Sequence, residues 1–257
     1  MYESAGDLRP APLPDPVPVS AVPAPSRGGL RAAALLEVIL CSGYPTQIAL
    51  VLILTRLGMT LRTPSGGLTP NFIFTLSLLD AAFVVGLVVL FLRARGERVR
   101  DVLLGQRPVL REALIGVVLI PAVFFVVVLI LALVMWLVPG LHNVPHNPFE
   151  AMVQTPRDAI VFSIVVMIAG GLREEIQRGF IVHRFDQHLG GAAVGVAAYS
   201  VAFGMGHLEQ GWDAVLATGS LGAVWGVIYL VRGSIIAPLV SHSGFNLLQL
   251  IKFVALR

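Results

Sequence analysis

LREALIGVVLIPAVFFVVVLILALVMWL, residues 110–137, is the stretch that decides the class of this protein. Between Ala113 and Leu137 it carries no charged side chain. About 20 mainly apolar residues are enough for a helix to cross a bilayer core, so this stretch reads as a membrane span. Working outward, six more segments read the same way: 30–57, 71–92, 157–185, 191–207, 212–231 and 235–255. Pro45 should kink or break the first of them. The expectation is an all-α, polytopic membrane helix bundle of about seven transmembrane helices, covering residues 30–257.

Composition agrees. The 257 residues are 56% hydrophobic and 13% charged, about half the charge of a soluble domain. Residues 1–29 precede the first span as a separate tail. Seven of the seventeen prolines fall between Pro10 and Pro25, with none of the basic-then-apolar order of a signal peptide, so a disordered Pro-rich tail is expected. A single cysteine, Cys41, excludes an internal disulfide and a cysteine-based metal cage. The net charge of +3 comes from basic residues beside apolar segments, which points to membrane lipids as partners and to no nucleic acid.

Orientation follows from the loops. Arg93, Arg95, Arg98, Arg100, Arg107 and Arg111 crowd the second connection, which should therefore be cytoplasmic, with the N-terminus on the same side. Localisation follows: an integral, multi-pass membrane protein, in the inner membrane if the source is bacterial. His142, His146, His183 and His188 fall in predicted loops, where solvation explains them.

Three polar clusters interrupt the apolar pattern of the last hundred residues: Arg173–Arg178, Phe203–His207 and His242–Asn246. Ionisable groups inside membrane segments are costly and mark function by default. In the first cluster, Glu174 and Arg178 are four apart and share a helix face, while Glu175 is turned about 100° away. Arg178 offers a bidentate fork to one acid and leaves the other for chemistry. Phe203 and His207 are four apart, with Gly204 and Gly206 permitting close backbone approach. His242 and Asn246 share a face, with Ser243 beside them. Helix-depth arithmetic lets all three clusters meet near the membrane midplane. The bland alternatives are a structural ion pair, a core histidine and polar glue between helices.

Together the motifs resemble the CPBP intramembrane proteases, the family of CAAX prenyl endopeptidases and bacteriocin self-immunity (Abi) proteins. The resemblance spans about 159–250, and Phe203/His207 and His242/Asn246 match its second and third motifs directly. The first departs: the family commonly has three residues between the glutamate pair and the arginine, and here only Ile176 and Gln177 intervene. Aligning on the glutamates keeps both acids and is preferred. The resemblance implies peptide-bond hydrolysis of a membrane-anchored peptide or protein, prenylated CAAX-type tails included. Catalytic residues would be Glu174, Glu175, His207, His242 and Asn246, supported by Arg178 and Phe203. One glutamate, assisted by His207, would activate water, and His242 with Asn246 would stabilise the oxyanion. Which of Glu174 and Glu175 is the base stays open. No cofactor is favoured. If zinc is used, Glu174, His207 and His242 would hold it, although no HExxH pair is present.

Other readings remain: a non-catalytic scaffold or immunity protein, or an ion-coupled transporter. Asp80 and Glu37 fall inside predicted spans and read as helix-interface hydrogen bonders. Gly170 and Gly171 read as small-residue helix packing.

Overall fold

The structure, a computed structural model, describes residues 26–255. Most of the expected proline-rich tail, residues 1–25, lies outside the described residues. The expected tail reached residue 29, whereas the first helix already begins at Arg27.

The first apolar segment forms two helices. α1 (Arg27–Cys41) starts at Ser26, whose hydroxyl accepts from the Gly29 amide at 3.1 Å. α2 (Tyr44–Arg56) follows after Gly43, which adopts a left-handed φ of 84°. Pro45 sits in the first turn of α2, where a missing amide proton leaves no bond unmade. The two helices bend by 44°, so the expected break falls at Gly43.

α3 (Pro70–Ala94), a short α4 (Val99–Leu103) and α5 (Val109–Leu137) follow. After a loop, α6 (Pro156–Val165) opens on a capping box between Thr155 and Asp158. A π-helical segment (Val166–Arg173) then joins it to α7 (Glu174–His188). α8 (Ala192–Met205), α9 (Trp212–Arg232) and α10 (Ile236–Ala255) complete the bundle. Among the described residues no strand forms beyond one isolated bridge between Arg62 and Leu68.

Helical segments stand at all seven expected positions, and length and apolarity support three or four of them as spans. α3, α5 and α9 are long and apolar enough to cross a membrane, and the bent α1–α2 pair can make a fourth. The remaining segments fall short for physical reasons. α8 has 14 residues, the π segment interrupts α6–α7, and α7 and α10 carry the polar clusters. The exterior is nevertheless apolar: Val118, Phe125 and Trp136 of α5 point outward, as lipid-facing residues do.

Close approach of backbones sets the packing at two places that matter for the site. A methyl group on Gly204 would lie 2.6 Å from the Val215 carbonyl, so α8 and α9 touch only because that residue has no side chain. Gly171 lies against Ser243 and Gly170 against Asn246, which seats the π segment on α10. Here the glycines serve helix packing, as their small size suggested.

One end of the bundle gathers the arginines. Arg184, fully buried, donates from Nε to Glu37 (2.6 Å) and from Nη1 to Glu97 (2.8 Å). Arg95 also donates to Glu37 (2.8 Å), and Arg232 clasps Glu112. His183 and His188 were expected in a loop. They lie instead on α7, where His183 meets Glu97 (3.1 Å) and His188 accepts from Arg95 (3.2 Å), because α7 runs longer than its hydrophobic core.

Two outcomes follow. Gly204→Ala should destabilise the bundle by about 1–3 kcal/mol through overpacking, read as a lower unfolding temperature in detergent. Glu97 lies in the loop after α3; burial pushes its carboxyl up, but the Arg184 guanidinium outweighs this and holds it below the ordinary 4.5. A depressed folded pKa gives stability that is present above the unfolded value and lost as pH falls through the folded one. Glu97→Gln should therefore lower the unfolding temperature at neutral pH, with the difference closing below about pH 4.

Candidate active site

The three polar clusters converge. α7 begins immediately after the π segment, and its first residues, Glu174 and Glu175, face α10. Glu175 is 1% exposed and is held from two sides. Arg178, three residues on, forms an ion pair with it, and His242 Nδ1 lies 2.8 Å from its Oε1. With a carboxylate as acceptor, that ring nitrogen carries the proton. The bond turns His242 Nε2 toward Glu174, whose Oε2 is 3.6 Å away.

The helix-face argument put Arg178 on the face of Glu174, four residues earlier, and left open which acid it holds. The structure pairs it with Glu175. Positions three and four apart flank the same side of a helix, so either acid was within reach. Burial decides between them. Arg178 is itself 1% exposed, and its guanidinium lies 4.9, 5.3 and 5.5 Å from the Tyr199, Phe203 and Trp225 rings. Only the fully enclosed acid can share that aromatic cage.

Glu174 differs from the buried acids around it, among which Asp213 alone is met by a histidine, His142, rather than an arginine. Glu37, Asp80, Glu112 and Glu175 each pair with an arginine, whereas the nearest arginine nitrogen to Glu174 is Arg173 Nη1 at 3.9 Å. Arg173 is committed elsewhere: it pairs with Asp80, which also accepts from Thr46 and Gln47. Asp80 is thus an interhelical anchor, as is Glu37. Among the described residues no hydrogen bond reaches the Glu174 carboxylate, and its side chain is 16% exposed. Its backbone is fixed, since its carbonyl accepts from the Tyr199 hydroxyl at 3.1 Å.

His207 follows the last turn of α8. Its Nδ1 lies 2.9 Å from the Phe203 carbonyl, which obliges Nδ1 to carry the proton and leaves Nε2 an acceptor. Phe203 packs edge-on against both His207 (4.9 Å) and His242 (5.9 Å). Asn246 donates one amide proton to the Gly170 carbonyl at 3.3 Å, keeping a second for another acceptor.

Glu174, His207, His242, Asn246 and Phe203 all line one cavity of about 490 Å³. Glu174, His207 and Phe203 also line a second, of about 350 Å³, bounded by Tyr44, Arg173 and Tyr199. Glu174 and His207 therefore stand where the two spaces adjoin. Glu175 lines neither.

Two contributors, Trp225 and Tyr199, were not anticipated, and Asp80, expected as a helix-interface hydrogen bonder, acts on the site through Arg173. Trp225 stacks on His242 with ring centroids 3.8 Å apart, fixing the plane of the imidazole. Tyr199 holds the Glu174 backbone, and Asp80 withdraws Arg173. Tyr199 had a usable signal, since Tyr199, Phe203 and His207 repeat at four-residue spacing on one face of α8. Trp225 gave none, being an aromatic among apolar neighbours.

The suggested zinc set does not fit. Among the described residues no group of three His, Cys, Asp or Glu side chains is placed to hold a metal ion. Glu174 and His242 approach one another, but His207 does not complete the set.

The helical bundle thus gathers a carboxylate without a hydrogen-bonding partner, two histidines and an amide around one cavity. Residues 156–248 match the family model of Rce1-like type II CAAX prenyl endopeptidases. The match agrees with the resemblance carried by the three motifs and supports an integral membrane protease of this kind. No curated protein and no solved structure matches the chain.

The geometry separates the two glutamates experimentally. Glu174→Gln should leave folding intact. Glu175→Gln should strand Arg178 in the core and cost about 3–5 kcal/mol of stability, seen as loss of folded protein in detergent.

Proposed function

We propose that the chain is an intramembrane endopeptidase that hydrolyses a peptide bond of a membrane-associated protein, with Glu174 as general base. The observation that carries this reading is the placement of Glu174: it stands where the two cavities adjoin, its carboxylate accepts no hydrogen bond among the described residues, and it faces His242. An acid free of strong partners in a dry site is suited to exchanging protons with substrate and water.

In this mechanism a water seated between Glu174 and His207 gives one proton to the Glu174 carboxylate. His207 Nε2 accepts its other hydrogen bond and aims the oxygen lone pair at the scissile carbonyl. The resulting tetrahedral oxyanion lies toward α10. There the spare Asn246 amide proton and a proton on His242 Nε2 donate to it. Glu175 holds the ring through Nδ1, and Trp225 fixes its plane. The proton on Glu174 then passes to the leaving amine as the C–N bond breaks, so the acid returns to its starting form. Gathering these groups before substrate arrives removes the reorganisation that water would require. No step here runs through a metal ion.

A purely structural Glu174 would be expected to accept a hydrogen bond, and among the described residues none reaches its carboxylate.

With purified protein and a fluorogenic membrane-anchored peptide, Glu174→Gln should abolish turnover. Asn246→Ala should lower kcat by about 10²–10³-fold with little change in KM, as for loss of an oxyanion donor. Ordinary turnover by Glu174→Gln at wild-type protein levels would refute the assignment. Addition of a strong chelator should leave the rate unchanged.

A further inference from the structure

We infer that the catalytic cavity opens on the extracytoplasmic face of the membrane, so that the substrate is a peptide segment displayed there by a membrane-anchored protein. The inference rests on the peptidase reading for what happens in the cavity, but on independent observations for its direction.

The first observation is where the cavity lies. Its lining from α9 comes from the first two-thirds of that helix, Asp213 to Trp225, and from α10 only at and beyond His242. α5 contributes Val127 and Leu131, from its later half. The mouth is built by the loop after α5, through His142, Asn147 and Glu150, and by Gln210 before α9. No residue of α4, of the C-terminal half of α7 or of the turn before α10 lines it. All of the cavity therefore belongs to one end of the bundle.

The second observation is charge. The opposite end carries Arg93, Arg95, Arg98, Arg100, Arg107 and Arg111, joined by Arg232, which binds Glu112 across helices. At the cavity end, residues 138–155 and 206–211 contain no lysine or arginine. Arg62, in the remaining loop there, is neutralised by Glu209 at 2.9 Å, and Asp213 is met by His142 at 2.6 Å. Short loops rich in arginine stay in the cytoplasm, and loops without it are translocated. Arg56, Arg157 and Lys252 sit on helix termini toward the cavity end, so the arginine excess lies at the opposite end and the opening at the end poorer in positive charge.

Such an enzyme would take an extended peptide close to the outer membrane surface, next to a lipid or transmembrane anchor. It would not reach a lipidated tail presented from the cytoplasm. The mouth favours a polar, uncharged or basic segment, because its ionisable lining is Glu150, Asp213 and His142.

Single-cysteine labelling tests the direction, aided by the one native thiol, Cys41, being fully buried. His146→Cys marks the mouth loop and Gln106→Cys the arginine-rich end; neither touches the catalytic residues or alters an arginine. In intact cells a membrane-impermeant maleimide should label His146→Cys, and Gln106→Cys should react only after permeabilisation. The reverse pattern would overturn the inference while leaving the peptidase reading untouched. A transmembrane-anchored reporter carrying one candidate peptide on each face supplies the second arm. Glu174-dependent loss of the outer peptide alone supports the inference, and cleavage of the cytoplasmic peptide alone defeats it. Absence of Glu174-dependent cleavage on both faces, with outward labelling of His146→Cys, would overturn the peptidase reading and the substrate assignment with it.

Discussion

Charge inside an apolar bundle has to be neutralised, and that requirement organises this molecule. An unpaired carboxylate or guanidinium in a low-dielectric interior costs several kcal/mol, which good geometry offsets only when a partner is present. Glu37, Asp80 and Glu112 each meet an arginine from another helical segment, and Glu175 meets Arg178 within α7. These pairs act as bolts: α1 to α7 through Glu37 and Arg184, α3 to the π segment through Asp80 and Arg173, α5 to α9 through Glu112 and Arg232. Glu174 stands outside the pattern. Its freedom is arranged by its neighbours, because Asp80 takes Arg173 and Glu175 takes Arg178.

The π segment gives a physical account of the shortened first motif. A π turn inserts an extra residue into helical register and recurs at functional positions. Here it ends at Arg173, immediately before the glutamates, and it rests on α10 through Gly170 and Gly171. The shorter spacing from the glutamates to Arg178 is accommodated by an i,i+3 pair with Glu175. Glu174 is consequently left pointing at His242 and into both cavities. Asn246 closes the arrangement by bonding the Gly170 carbonyl, so one contact fixes both the turn and the amide.

Histidine geometry divides the work in the same way. His242 and His207 both have Nδ1 occupied, but by acceptors of different charge. The Glu175 carboxylate orients the His242 ring so that its Nε2 faces Glu174, whereas the Phe203 carbonyl leaves His207 Nε2 as an acceptor. One ring is thereby suited to an oxyanion and the other to a water. The aromatic cage of Tyr199, Phe203 and Trp225 serves Arg178 and the imidazoles at once, excluding water from the ion pair while leaving Glu174 open.

Local chemistry alone determined a good deal: the membrane-embedded all-helical class from hydropathy, the break before Pro45, the three polar clusters, and the arginine-rich end. Those properties are readable because they depend on residue type and on helical periodicity. Hydropathy could not settle how many segments span the membrane, since the polar clusters lower it in the segments that carry them. Tertiary structure decided which glutamate is free, because that depends on competition among Arg173, Arg178 and Asp80 across three helices. It also brought in Trp225 and Tyr199, which carry no distinguishing local signal, and it placed the opening opposite the arginines. Pairing between distant charges is a property of three-dimensional neighbours, and a linear pattern can supply the candidates without choosing among them.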